Sequence, residues 1–252
     1  MVRQLSNTSA KELALLIDPD KFDADTFSYL TDNGLEQIFS YIFVGGSLFI
    51  ENRLDETVRK IKSLSTLPVI LFPGSSMHIS PYADGVLFLS LISGRNPEYL
   101  IGNQVLAAPK IKQSNLTVFP TGYLLIDGGI TTTAHYVSNT QPIPRHKPEI
   151  AAVTAMAAEL MGMKNIYLDC GSGAVKTIPE KMIQEVKANT NLPLIIGGGI
   201  ASVEKIHQLF YAGANVLVLG NVIEKNNSFI QELKNLEIPN GANRNFTSVK
   251  LS

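Results

Sequence analysis

Short, uninterrupted apolar runs recur along the chain, and most of the stretches between them have helical periodicity. Such runs are typical of strands covered on both faces, as in a parallel sheet. They recur about every 29 residues, a spacing that accommodates one strand and one crossover helix. The predicted strands are Ala14–Ile17, Tyr41–Val44, Pro68–Phe72, Gly85–Leu89, Gly122–Ile126, Asn165–Leu168, Pro193–Ile196 and Asn215–Leu219.

The helical stretches complete a repeating strand–helix unit. Pro179 and Ser202 stand where a helix is expected to begin, and Gly213 where one is expected to end. The predicted helices are Leu54–Leu64, Pro97–Ala107, Glu149–Met161, Pro179–Ala188 and Ser202–Tyr211. Eight such units predict an α/β fold, the (β/α)8 TIM barrel. The alternative is a doubly wound sheet, but its glycine-rich dinucleotide turn is replaced here by the segment Asp18–Lys21.

The unit after the third predicted strand is too short for a helix. Only 12 residues separate Phe72 from Gly85, and they include two prolines and a glycine. We therefore expect a barrel modified by loss of the helix after strand 3. The proline-rich segment Thr131–Pro148 is expected to be a loop. We predict a single domain over residues 1–252, of which about 237–252 form a poorly ordered polar tail.

The composition indicates a globular enzyme of a reducing compartment. Hydrophobic residues make up 45% and charged residues 17%, which excludes the low hydrophobicity of a disordered chain. The net charge of −1 gives no basic excess, so we expect no nucleic-acid partner. The single cysteine excludes an intrachain disulfide framework. We expect a cytoplasmic location and no transmembrane segment, because no apolar run approaches about 20 residues.

Three late strand ends are rich in glycine, and the working residues of a barrel lie at such strand ends. The loops are Asp169–Gly173, Gly197–Gly199 and Gly220–Asn221. Backbone N–H groups in loops of this kind bind phosphate, and the loops after strands 7 and 8 are the usual phosphate site of this fold. The alternative is that the glycines only make tight turns between strand and helix.

Two carboxylates follow the first predicted strand at the mouth of an apolar barrel. Asp18 and Asp20 are oxygen ligands of the kind that Mg²⁺ prefers, and Ser47 on the neighbouring strand end supplies another oxygen. Asp18 is the better candidate because it is nearer the strand end. For Asp20 the alternative is that it caps the following helix.

A further carboxylate, Asp169, ends the sixth predicted strand beside the glycines. There it is a candidate general base for a substrate hydroxyl. The alternative is that it only accepts hydrogen bonds from loop amides. Cys170 has no evident histidine partner, so we expect a buried thiol rather than a nucleophile. The 4 histidines lack the spacing of a zinc site.

Two apolar segments continue past the strand ends into the loops at the barrel mouth. They are Ser47–Ile50 and Gly85–Ser93. Apolar residues in such loops either line a groove for an apolar ligand or form an interface between copies of the chain.

Several of these segments, taken together and in order, resemble one family: the geranylgeranylglyceryl phosphate synthases and their bacterial heptaprenylglyceryl phosphate relatives. The resemblance runs from Leu16 to about Asn221 and includes the missing third helix. The stretches that carry it are Leu16–Lys21, Val44–Ser47, Ala83–Phe88, Ser93–Pro97, Pro142–Ile150, Tyr167–Ala174, Gly197–Ile200 and Leu219–Asn221. The first loop, Leu-Ile-Asp-Pro-Asp, is similar to that of the subgroup favouring the geranylgeranyl chain.

The resemblance implies a Mg²⁺-dependent prenyltransferase that joins a prenyl diphosphate to the 3-hydroxyl of sn-glycerol 1-phosphate. It implies Asp18 and Ser47 as metal ligands, and Asp169 as the base at a position where most relatives have Glu. The residues it implies for glycerol phosphate are Tyr167, Leu168, Asp169, Cys170, Gly171, Ser172, Gly173, Gly198, Gly199, Gly220 and Asn221. By the same analogy we expect a homo-oligomer, and the apolar segments are compatible with peripheral contact with a membrane.

Two other functions stay open from the residues alone. A sugar-phosphate isomerase would use the same late loops, but it would need neither an apolar groove nor Mg²⁺. A non-catalytic carrier of a prenyl lipid or a flavin would not need Asp18 or Asp169 for turnover.

Overall fold

The structure, a computed structural model, describes residues 9–51, 53–226 and 228–236. Its parallel strands are β1 (Glu12–Ile17), β2 (Tyr41–Gly46), β3 (Val69–Pro73), β4 (Gly85–Leu91), β5 (Thr117–Leu125), β6 (Asn165–Asp169), β7 (Leu194–Gly197) and β8 (Val216–Leu219). They form a closed barrel in chain order, in which β1 pairs with both β2 and β8. The predicted α/β barrel is therefore confirmed.

Helices surround the barrel. They are α1 (Ala24–Asp32), α2 (Leu35–Ile38), α3 (Leu54–Leu64), α4 (Asn103–Gln113), α5 (Thr133–Ser138), α6 (Pro148–Leu160), α7 (Glu180–Asn189), α8 (Val203–Ala212), α9 (Asn221–Lys225) and α10 (Phe229–Lys234). A 3₁₀ turn covers Pro19–Lys21, and a π-helical turn, Glu98–Gly102, leads into α4. Within the described part of the chain, no helix is long and apolar enough to cross a membrane.

The side chains of each strand alternate between the inside of the barrel and the layer under the helices. On β6, Tyr167 packs in the interior cluster, whereas Ile166 and Leu168 pack in the outer one. The period of two residues places Asp169 on the same side as Tyr167. The same alternation along β1 places Asp18 on the side of Ala14, which is an interior residue. Both carboxylates therefore face the barrel mouth.

The helix after β3 is missing, as the sequence predicts. Residues 74–84, all of which the structure describes, contain turns and no helix. Asp84 fixes the end of this crossing. Its Oδ2 accepts a hydrogen bond from the Val69 amide at 2.9 Å, and its Oδ1 lies 2.5 Å from Lys62 Nζ. The crossing leaves the outer face of β3 and β4 without the helix that the other units provide.

Two elements are longer than the sequence indicates. The prediction that the fifth strand begins at Gly122 is wrong, because β5 pairs with β4 from Thr117 onward. Pro120 lacks an amide proton, but its carbonyl accepts a hydrogen bond from the Lys164 amide at 2.9 Å, so the strand continues through it. Likewise α4 continues past Pro109, because buried Ile111 anchors its last turn.

The remaining predictions about helix ends have mixed outcomes. Ser202 caps α8, and Gly213, with φ of +122°, ends it, as predicted. Pro179 precedes α7 as its cap instead of forming its first turn, because its ψ of 135° is extended. The predicted loop Thr131–Pro148 contains α5. The tail predicted for residues 237–252 lies outside the described residues.

Candidate active site

A cavity of about 570 Å³ opens at the C-terminal ends of the strands, within the size range of small-molecule sites. It brings together most of the residues that the sequence predicts for the site. Those that line it are Asp18, Ser47, Tyr167, Asp169, Gly171, Ser172, Gly173, Gly198, Gly199, Gly220 and Asn221. The loops after five different strands therefore meet at one cavity.

The glycine loops after β6, β7 and β8 are in mutual contact. Gly198 has a φ of +83°, and a Cβ on it would lie 2.9 Å from the carbonyl oxygen of Gly171. These two backbones therefore approach too closely for a side chain between them. Ser172 Oγ donates a hydrogen bond to Asn221 Oδ1 at 3.3 Å, which joins the β6 loop to the β8 loop. The three loops form one surface of bare backbone, which suits an anion such as phosphate.

Asp169 is buried beside this surface, and each of its oxygens accepts a hydrogen bond. Tyr123 donates its hydroxyl to Oδ2 at 2.6 Å, and the Gly171 amide donates to Oδ1 at 2.8 Å. Burial raises the pKa of Asp169, while these two hydrogen bonds and the nearby His135 oppose the rise. The carboxylate therefore accepts a hydrogen bond from a loop amide, which was one of the two alternatives for this residue. It also lines the cavity, as the other alternative requires.

Three aromatic rings fix the position of the Tyr123 hydroxyl. Phe72 stacks on Tyr167 with ring centroids 5.1 Å apart, and Tyr123 meets Tyr167 edge-on at 5.5 Å. A Cβ on Gly197 would lie 2.6 Å from the Tyr167 hydroxyl, so the glycine makes room for this phenol. Burial and the charge of Asp169 raise the pKa of both tyrosines well above 10. Both phenols therefore stay neutral and can donate hydrogen bonds.

Asp18 and Ser47 line the same cavity at the ends of β1 and β2. Asp18 Oδ1 accepts the Asp20 amide at 3.1 Å, and Oδ2 lies 3.1 Å from Lys21 Nζ, so a cation already faces this carboxylate. Among the described residues, no group of three or more acidic, histidine or cysteine side chains could hold a metal. A single carboxylate fits Mg²⁺, which commonly takes one or two carboxylates and completes its shell with substrate phosphates.

Asp20 holds a neighbouring loop and does not cap a helix. The 3₁₀ turn is capped by Asp18 and α1 by Asp23, so the interpretation of Asp20 as a helix cap is wrong. Its carboxylate instead accepts the amide of Ile50 at 2.7 Å and that of Glu51 at 3.3 Å. Asp20 therefore ties the loop after β2 to the loop after β1.

The loop after β2 is also joined to the crossing between β3 and β4. The rings of Phe49 and His78 stack with centroids 3.7 Å apart and planes 16° apart. His78 Nδ1 accepts the Gly74 amide at 3.3 Å. Burial lowers the pKa of His78 to about 4, so the imidazole is neutral near pH 7. Three loops at one side of the mouth are thus held together.

The cavity continues from the mouth into an apolar trough between β4 and α4. Val86 and Phe88 form its sheet side, Ala107 and Ile111 its helix side, and Ile79 comes from the crossing. It occupies the layer that the missing helix leaves open. From Val86 to the end of β4 it extends for roughly 16 Å, at about 3.3 Å per strand residue. This geometry favours the groove interpretation of the segment Gly85–Ser93.

Two residues of the implied glycerol phosphate set direct their side chains elsewhere. Leu168 and Cys170 pack in the outer layer between the sheet and the helices. Burial raises the pKa of the Cys170 thiol to about 12, which confirms the expected buried thiol. Arg145 lies against the Cys170 thiol, because its Nη1 is 4.0 Å from Sγ, and the same nitrogen donates to the Asp127 carbonyl at 3.0 Å.

Sequence reasoning missed one residue that lines the cavity and one that lies near Asp169. Tyr123 stands in the interior series Phe119, Thr121, Tyr123, Leu125, and this alternation was the signal that could have identified it. His135 on α5 is buried, and its Nδ1 accepts the Thr132 amide at 3.3 Å. Burial lowers the pKa of His135, and its position near Asp169 was not readable from the local sequence.

The fold and the site define a class: a TIM-barrel enzyme whose cavity combines glycine loops suited to an anion with an apolar trough. The profile of the PcrB family matches residues 7–237. The chain belongs to the PcrB family, and the resemblance read from the sequence is confirmed.

Several relatives carry the name geranylgeranylglyceryl phosphate synthase. The chain is 52% identical to the geranylgeranylglyceryl phosphate synthase of Chitinophaga pinensis over 223 residues, which cover 88% of each chain. It is 44% identical to the enzyme of that name from Pyrococcus furiosus, again over 88% of each chain. A crystal structure of (S)-3-O-geranylgeranylglyceryl phosphate synthase from Thermoplasma acidophilum, in complex with sn-glycerol-1-phosphate, matches with a TM-score of 0.85 and 32% identity. That match covers 92% of this chain and 96% of the other.

Proposed function

We propose that this protein is a prenyltransferase that joins geranylgeranyl diphosphate to the 3-hydroxyl of sn-glycerol 1-phosphate, forming an ether and releasing diphosphate. The observation that carries this proposal is that a single cavity combines a bare-backbone anion surface with a long apolar trough. The names of the relatives and the glycerol phosphate bound in the Thermoplasma acidophilum structure support the same reaction.

The two halves of the cavity suit the two substrates. The glycine loops bind the phosphate of glycerol 1-phosphate, and the Tyr167 ring lies beneath them. The prenyl chain lies in the trough, where each buried CH₂ contributes about 0.8 kcal/mol. Holding both reactants in one cavity converts a bimolecular reaction into an effectively unimolecular one. A sugar phosphate would leave the trough unused, so the isomerase alternative has less support.

Asp169 is the base in this proposal. Its carboxylate takes the proton of the glycerol 3-hydroxyl while that oxygen forms a bond to C1 of the prenyl chain. The bond from C1 to the diphosphate oxygen breaks, and the diphosphate leaves with the electron pair. Tyr123 holds the carboxylate in place through its 2.6 Å hydrogen bond. Burial raises the pKa of Asp169, which makes the carboxylate a stronger base.

Asp18 and Ser47 are proposed as the protein's ligands for Mg²⁺. Bound there with the diphosphate oxygens, the ion would neutralise the charge that develops on the leaving group. Lys21 pairs with Asp18 across 3.1 Å and adds positive charge on the same side of the cavity. A homo-oligomeric state and a cytoplasmic location stay predictions from the sequence.

A donor-length series tests the proposal. The protein is incubated with sn-glycerol 1-phosphate, MgCl₂ and geranyl, farnesyl, geranylgeranyl or heptaprenyl diphosphate, and ether products are quantified by mass spectrometry. We expect the highest kcat/KM with the geranylgeranyl donor. The variant Asp169→Asn, which keeps an acceptor for the Gly171 amide, should retain the fold and lose a factor of about 10² to 10⁴ in kcat. Absence of product from every donor would contradict the proposed function.

A further inference from the structure

Two loops at the cavity mouth expose large apolar side chains. Ile50 is 88% exposed, Met77 is 82% exposed and Leu48 is 57% exposed, and Leu48 also lines the cavity. We call these three residues the apolar rim. Single exposed apolar residues are ordinary, but a cluster of them beside a binding cavity indicates an interaction surface.

The apolar rim is held in its exposed position. The loop of Ile50 is fixed at its backbone, because the Asp20 carboxylate accepts the Ile50 amide at 2.7 Å. Phe49, between Leu48 and Ile50, turns inward and stacks on His78, the residue that follows Met77. The stacked rings therefore join the two loops, and each of the three exposed rim residues is a sequence neighbour of one of the stacked residues.

We propose that the apolar rim docks on the surface of a lipid bilayer and receives the prenyl donor from it, an inference that rests on the proposed function. A diphosphate with a long isoprenoid chain is an amphiphile, and its chain partitions into a bilayer. Leu48 continues the rim into the cavity, so the chain stays in apolar surroundings between bilayer and trough. Side chains of this kind bury in the boundary between headgroups and acyl chains without crossing it.

The charges around the rim indicate which bilayer it fits. Glu51 and Arg53, next to Ile50 along the chain, pair with each other at 3.8 Å, and Lys21 pairs with Asp18. The basic side chains of these two loops thus each face a carboxylate. Docking by apolar burial is therefore expected to be nearly independent of the charge of the lipid.

Co-sedimentation with vesicles tests the docking without any substrate. Wild-type protein is mixed with sucrose-loaded vesicles of phosphatidylcholine, with and without phosphatidylglycerol. In the double variant Ile50→Ser/Met77→Ser the partition coefficient of the protein between vesicles and water should fall at least about tenfold. The reason is that each apolar side chain buried in the bilayer adds to the free energy of binding. Leu160→Ser is the matched control. Leu160 is also 88% exposed, but it ends α6 at the opposite face of the barrel, so its replacement should leave binding unchanged.

Several results would overturn the docking proposal. They are absence of vesicle binding by the wild type, binding only to the anionic vesicles, and an equal loss in Leu160→Ser and the double variant. The remaining alternative is that the rim is an interface between copies of the chain, and light scattering tests it. That alternative holds if the double variant has a lower oligomeric mass than the wild type and still binds vesicles.

An activity measurement separates this proposal from the proposed function. With geranyl diphosphate in solution, the double variant should match the wild type. With geranylgeranyl diphosphate embedded in vesicles, its initial rate should fall at least about tenfold, in proportion to the lost binding. An equal rate from embedded donor would overturn the delivery role. If no donor gives product, the proposed function fails, and the sedimentation result still decides whether the rim docks.

Discussion

The Tyr123 hydroxyl lies 2.6 Å from Oδ2 of Asp169, and both side chains are buried. In the register of β5 with β6, Asp169 pairs with Leu125, so Tyr123 reaches the carboxylate from two residues earlier on its strand. Burial favours the neutral acid, whereas a hydrogen bond to the carboxylate favours the charged base. Tyr123 therefore counteracts part of the burial effect on Asp169.

Replacing Tyr123 by phenylalanine should move the acidic limb of the kcat/KM profile to higher pH. Loss of the hydroxyl removes a donor that stabilises the carboxylate, so the pKa of Asp169, already raised, should rise further. As the proposed base, Asp169 acts in its deprotonated form, so the acidic limb should move up by about one pH unit, the size expected for a hydrogen bond to a charged group. The profile is measured with geranylgeranyl diphosphate at saturating Mg²⁺. An unshifted limb would show that Tyr123 has only a packing role.

Asp18→Asn should raise the Mg²⁺ concentration for half-maximal activity at least about tenfold, because a neutral amide is a poor ligand for this ion. Asp23→Ala is the matched control, since Asp23 also caps a helical turn after β1 but is exposed. It should lower the free energy of unfolding through loss of the helix cap and leave the Mg²⁺ requirement unchanged. Equal Mg²⁺ curves for Asp18→Asn and the wild type would remove Asp18 from the metal assignment.

Gly198→Ala should raise KM for glycerol 1-phosphate about tenfold, because the new methyl group separates the two loops that are proposed to bind the phosphate. Gly162→Ala provides the comparison. Gly162 has a φ of +87°, close to the +83° of Gly198, but a Cβ there meets nothing within 4 Å. Both variants should lose roughly 1 to 2 kcal/mol of stability from backbone strain. A KM increase of the same size in both variants would attribute the effect to strain.

His78 should make the protein less stable in mild acid. Its folded-state pKa of about 4 lies below the ordinary 6.5. The unfolded chain therefore binds a proton at this residue before the folded chain does, and stability should fall as the pH falls from about 6.5 to about 4. Above pH 6.5 the contribution is constant. His78→Gln, which keeps an acceptor for the Gly74 amide, should reduce this slope in urea unfolding at pH 7 and pH 5. An unchanged slope would assign the acid sensitivity to other groups.

Much of the barrel could be predicted from the sequence because its signals are local. A buried parallel strand is apolar throughout, so runs such as Tyr41–Val44 are visible without knowledge of their neighbours. The first half of β5 was missed because its threonines and Pro120 interrupt the apolar run that marks a buried strand. Its position depends on pairing with β4. The missing helix was predictable because the crossing is simply too short to contain one.

In the site, too, features with a local sequence signal were predictable and contacts between distant residues were not. The glycine loops and Asp18 were predictable because the ends of parallel strands meet at one face of a barrel. The contact between Tyr123 and Asp169 was not, because it depends on the register of two strands whose residues are 46 positions apart. The hydrogen bond that the Asp20 carboxylate accepts from the Ile50 amide was not predictable either, because the local sequence favoured a helix cap at Asp20.

Because the helix after β3 is missing, the trough lies outside the ring of strands, and the two can change independently in evolution. The hydrogen-bonded ring and its interior side chains maintain the fold, whereas Phe88, which is only partly buried, borders the trough outside that ring. Substitutions at Phe88 can therefore reshape the trough while the ring stays intact. One ancestral scaffold could diversify in the lipid it handles across lineages, without first passing through a poorly folded intermediate.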